Sequence, residues 1–177
     1  MPVPRAVANA LTALVLAAAL ALATAGCGSK TVTTTGANGQ ATTRTVPDIH
    51  FAKAKFALHA GLAFGAFHRY ISKPLKEGAF GAGAPDRLGA IVKAGTAALF
   101  AVHELRMARE DALADDRLRP LAERVERLLG KLNHLGAALK RGSLDANAIL
   151  ESAGAVSALH AASGGLGTTI KEVAPAL

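Results

Sequence analysis

An all-α fold, arranged as a four-helix up-down bundle, is the architecture this sequence predicts, and three observations carry it. Apolar residues recur at steps of three and four in four stretches between residues 47 and 163, the repeat of a helix with one face turned inward. Short connections, marked by Lys73-Pro74, the Gly-rich run 78–85 and Arg141-Gly142, separate these stretches, which favours antiparallel neighbours. Aromatic residues make up only 4% of the chain and Trp is absent, so large core side chains are few and the core is expected to be rich in Ala.

Ahead of the bundle stands a leader. Arg5 and the amino group form a short positive region, and residues 6–26 follow without a single charge. A run of about 20 apolar residues is long enough to cross a bilayer. It ends in the small residues Thr24-Ala25-Gly26 and gives way to polar sequence, so residues 1–26 are read as a signal peptide. The only Cys of the chain, Cys27, comes directly after, in Ala25-Gly26-Cys27-Gly28-Ser29. This stretch resembles the lipobox of bacterial lipoproteins, with Thr24 where that family prefers Leu or Val. The resemblance covers the first 30 or so residues. It implies that the Cys27 thiol is diacylglycerylated, that cleavage falls before it, and that the mature chain sits lipid-anchored on the extracytoplasmic face of the cell membrane. An ordinary cleaved signal and a retained single span are the alternatives. A lone Cys also excludes an internal disulfide and any multi-cysteine metal site.

Residues 27–46 read as the lipidated Cys followed by a flexible Thr/Gly-rich tether, because no helical or strand period persists there. A coil of that length spans about 25 Å. The bundle domain runs from 47 to 163. Its first helix is expected from Asp48 to Ser72, ended by Lys73-Pro74, with Ile49, Ala52, Phe56, Ala60, Ala63, Phe67 and Ile71 on one face. Phe51, Leu58 and Leu62 fall on nearly the opposite face, so this helix is expected to be central, with neighbours on both sides. Gly61 and Gly65 form a GxxxG step that suits close approach of a neighbouring helix.

Asp86 reads as the N-cap of a second helix reaching about Asp115, with Leu88, Ile91, Gly95, Ala98, Leu99, Val102 and Arg106 on one side and Lys93 and Glu104 on the other. The third helix, about Leu118–Lys140, has the cleanest pattern. Leu118, Leu121, Val125, Leu128, Leu132, Leu135 and Leu139 form an unbroken heptad seam that could serve the bundle or pair with a second copy. A fourth helix begins at Ser143 or Asp145 and runs to about Ser163, with Ile149, Ala153, Val156, Leu159 and His160 on its apolar face. Residues 164–177 form a Gly-rich break and a tail to which the pattern assigns no structure.

The formal net charge is +7, from 20 Lys and Arg against 13 Asp and Glu. The signs alternate along the helices, and residues 117–141 alone carry seven cations against two anions. On a tethered domain the surplus favours anionic lipid headgroups or acidic wall polymers; solvated helix faces are the plainer explanation. A protein partner or homo-oligomer is compatible with the pattern. Nucleic acid is not expected, since one Tyr and no Trp leave few stacking platforms.

Motifs for catalysis are missing. His103-Glu104 opens a zinc-protease-like string, but Met107 stands where its second His belongs, and no P-loop or GxSxG turn occurs. Glu104, Glu123, Glu126 and Glu151 offer no spacing that singles out an acid/base pair. Among the six histidines, His103 and His160 flank apolar faces of different helices, and His59 is the third candidate. Two such imidazoles could bind haem or a metal inside a bundle. The competing reading is a partly buried histidine hydrogen-bonded to a backbone carbonyl. The composition, the Cys27 motif and the stretch 50–70 together resemble Ala-rich secreted or lipid-anchored proteins of high-GC Gram-positive bacteria. That resemblance implies a location and no activity. The expectation is therefore a non-enzymatic binding or scaffolding module, with a haem- or metal-binding bundle as the alternative.

Overall fold

In the computed structural model, residues 29–35, 40–47, 49 and 51–177 are described. The leader and Cys27 lie outside them, as do Asp48 and His50. The chain forms two compact units, residues 1–48 and 49–177.

The described part of the first unit is a hairpin. Strand β1 (Ser29–Thr35) pairs antiparallel with β2 (Ala41–Pro47), in a register that sets Val32 opposite Arg44 and Thr33 opposite Thr43. This corrects the expectation of a segment without regular structure. The reason is in the residue type: Thr and Val are β-branched and favour extended backbone even where no apolar alternation signals a buried face. A lone two-stranded hairpin has marginal stability in water.

The second unit is all-α, with four helical rods packed against one another. The first rod is α1 (Ala52–Phe67), a π-helical turn (His68–Ser72) and α2 (Lys73–Lys76) in one run. Then come α3 (Arg87–Ala114), α4 (Arg119–Lys140) and α5 (Ala146–Gly165). The first rod does not stop at Pro74 as expected. Proline lacks an N–H and its ring crowds the carbonyl four residues back, which here is Tyr70. The wider π turn just before it, closed by Lys73 N–H donating to the His68 carbonyl, lets the helix pass through. The rod also starts later than expected, with Phe51 at the N-cap in a left-handed conformation (φ 59°) and 83% exposed.

The leucine seam of α4 is where the sequence placed it. All seven seam residues are buried, Leu118, Val125 and Leu128 completely. They are used inside this chain, between α3 and α5, so the seam is not left open for a second copy. Asp145 is the N-cap of α5, its carboxylate accepting from the Ala148 N–H at 3.1 Å. Asp86 holds the N-cap position of α3, but its side chain makes no capping bond.

α1 does not take the central place expected of it; α3 does, contacting α1 along one flank and α4 along the other. Its inward surface is rich in alanine: Ala94, Ala97, Ala98, Ala101, Ala108 and Ala112 are fully buried. The Gly136 backbone comes so close that a Cβ there would stand 3.3 Å from Ala98 Cβ. The expected face of α3 is therefore rotated. Leu88 and Leu99 are 75% and 46% exposed, while Glu104, expected outside, is buried.

On α1 the predicted inner face holds, from Ala52 through Phe56, Ala60, Ala63 and Phe67 to Ile71 in the turn beyond. Its opposite face does not meet a helix; Phe51 and Leu58 are exposed. The Gly61/Gly65 step receives the segment 168–177 in place of a neighbouring helix. A Cβ on Gly61 would strike the Lys171 carbonyl, and one on Gly65 would strike the Val173 backbone. Val173 N–H donates to the Gly61 carbonyl at 3.1 Å, Tyr70 Oη–H donates to the Pro175 carbonyl at 2.7 Å, and Thr168 and Ile170 are buried.

Candidate functional site

The close approach of α1 and α3 sets the one cluster of titratable side chains that crosses their interface. On α3, Glu104 and Asp111 are two turns apart, so both lie on the strip formed by Ala97, Ala101 and Ala108. Alanine lets the backbones come together, and the two carboxylates reach α1. There they meet His59. Its Nδ1 stands 2.7 Å from Glu104 Oε2, and its Nε2 stands 3.9 Å from Asp111 Oδ2. The side chains are 22%, 10% and 3% exposed respectively, so the cluster grades from a wet edge at His59 to a dry end at Asp111.

Asp111 is the unusual member. Its Oδ2 is buried with no hydrogen-bond partner. Burial pushes its carboxyl up to about 6; His59 and Lys55 oppose the rise, and neighbouring Glu110 adds to it. A neutral His59 donating Nδ1–H to Glu104 turns the Nε2 lone pair toward Asp111. A protonated His59 presents N–H donors to both carboxylates. At 3.9 Å the His59 Nε2 stands beyond direct hydrogen-bond distance of Asp111 Oδ2, which stays unpartnered.

The three candidate histidines serve three separate purposes. His59 spans the two carboxylates. His103 is exposed on α3, one residue and 100° around the helix from buried Glu104. It lies on the outer flank beside Thr96 and Leu99 and does not enter the packed core. His160 packs its ring at 6.4 Å and 56° to Phe64, with Nε2 2.9 Å from the Ile170 carbonyl, so it ties down the C-terminal segment. That is the backbone-bonded histidine the sequence offered as the competing reading. Because the two nitrogens of His59 face different carboxylates, its partners do not converge on one point. Among the described residues no group of three or more His, Cys, Asp or Glu is arranged to hold a metal ion. His134 is exposed, as its place outside the seam implied.

Glu104 was among the acids the sequence could name; Asp111 and Lys55 were not. The signal available for Asp111 was its spacing of seven from Glu104, and for Lys55 its spacing of four before His59. Elsewhere, a cleft of about 510 Å³ between α3 and α4 has Arg109 on its rim, clamped by Glu110 at 3.0 Å and Glu126 at 2.6 Å.

No family model, curated protein or solved structure matches this chain. Nothing in those comparisons or among the described residues points to catalysis.

Proposed function

We propose that the chain is a lipid-anchored helical bundle on the extracytoplasmic face of the cell membrane, where it works by binding or scaffolding. The observation that carries this reading is Cys27, the only thiol in the sequence, set directly after an uncharged run of 21 residues ending Ala25-Gly26. A thiol in that place, once diacylated, replaces the leader that cleavage removes. Two acyl chains give stable retention where one gives marginal binding, at about 0.8 kcal/mol per buried CH₂. An all-α unit with its own closed core suits a cargo held outside the bilayer.

Metabolic labelling with a fatty-acid analogue tests the anchor. Label is expected on the wild-type chain and absent from Cys27→Ser, which accumulates uncleaved. Equal label on both chains would remove the basis of the reading.

A further inference from the structure

The outward flank of α4 carries a second periodic stripe beside its leucine seam. Arg124, Arg127, Lys131, His134 and Arg141 follow one another at steps of three, four, three and seven, the helical repeat. All five are exposed, and the stripe extends about 26 Å at 1.5 Å per residue. Its countercharges are few. Glu123 lies 3.9 Å from Arg127, with side chains 87% and 65% exposed, a distance and a setting that leave both charges to solvent. Glu151 of α5 meets Lys131 at 2.7 Å, and Glu126 is turned away to Arg109. Arg124 and Arg141 have no ion pair among the described residues. The first rod carries a shorter row, Arg69, Lys73 and Lys76, with Lys73 3.7 Å from Glu77, and the exposed flank of α3 runs Leu88, Val92, Thr96, Leu99, His103.

We propose that this flank of α4 is a docking ridge for an anionic phospholipid bilayer surface, with Arg124, Arg127, Lys131 and Arg141 facing lipid phosphates. The inference rests on the membrane-anchored reading above and names the surface that the bundle meets. A straight row of cations on a rigid helix touches a flat anionic surface along its whole length, and guanidinium groups bind phosphate oxygens through paired N–H donors. Residues 6–26 and Cys27 lie N-terminal to the bundle and hold the chain at a bilayer, so contacts too weak to recruit the domain from solution act at high local concentration.

The test uses the full chain in vesicles of phosphatidylcholine alone or mixed with phosphatidylglycerol. Arginines are modified with phenylglyoxal at low salt and mapped by mass spectrometry. Arg124, Arg127 and Arg141 are expected to be modified at least about threefold more slowly on the anionic vesicles, with the difference abolished at 0.5 M NaCl. Arg69, exposed on the first rod, should not change. In Arg124→Gln/Arg127→Gln the protection of Arg141 should disappear. Equal modification on both vesicles overturns the proposal, and so does equal protection at Arg69. Protection by soluble polyphosphate without protection on anionic vesicles also overturns it, in favour of an acidic polymer. A high-salt wash after labelling reports the anchor separately: a chain that washes off refutes the anchored reading, while a retained, unprotected chain refutes the ridge alone.

Discussion

Asp111 shows how one side chain can set the pH response of the interface it sits in. Its carboxyl is held at about 6 against an ordinary 3.8, because the buried oxygen without a partner is easier to keep neutral than charged. Raised in the fold, this group favours the native state most when protonated. Its contribution is fully present below pH 3.8 and is lost as pH rises through about 6. Asp111→Asn, neutral at every pH, is therefore expected to melt higher than wild type at pH 7.5, by about 1–2 kcal/mol once solvent screening at the His59 edge is allowed for. The advantage should vanish near pH 4. Thermal melts of both chains across that range check it; parallel curves would mean that Asp111 does not titrate with folding. Asp111 was hard to find from sequence because its raised carboxyl depends on which way α3 faces, and an alanine-rich helix does not say. Glu104 was nameable only as one acid among several for the same reason.

At the scale of elements, the groove of α1 and the segment laid in it form one unit of packing. Gly61→Ala places a methyl group against the Lys171 carbonyl and displaces the Val173–Gly61 hydrogen bond. The expected cost is about 1–3 kcal/mol. Cleavage within residues 168–177 by a dilute protease should speed up well before the helices are attacked. A variant as stable and as resistant as wild type would mean that the segment is not held there. The GxxxG step was legible as a place of close approach, but two glycines describe a gap and not what fills it. The seam of α4 was legible in full, since seven large side chains on a heptad leave only one inward face. On α3 the pattern failed because alanine tolerates both sides of a helix, so Leu88 and Leu99 drew the predicted face toward themselves. In the tether, Thr carried a β-strand preference that a search for apolar alternation does not register.

For the whole molecule, the core is continuous from Phe56 to Ile170 and lies entirely within the second unit. A chain beginning at Ile49 is accordingly expected to unfold in one transition, with a midpoint within about 2 °C of the longer chain, as measured by circular dichroism. A drop of 10 °C would show that residues 1–48 contribute to the stability of the bundle. The start of the helical unit near residue 48 was open to reading because the composition changes there. What joins α1 to residues 168–177 was not, since extended backbone packed on glycine leaves no period to detect.

The placement of that segment has a consequence for biosynthesis. Tyr70 and Pro175 are 105 residues apart, so the contact that covers α1 waits until that much more chain has left the ribosome. Until then a nascent chain holds its helices with Gly61 and Gly65 bare. Closing so large a loop is a slow, late event that a growing chain must wait for before its first helix is fully enclosed.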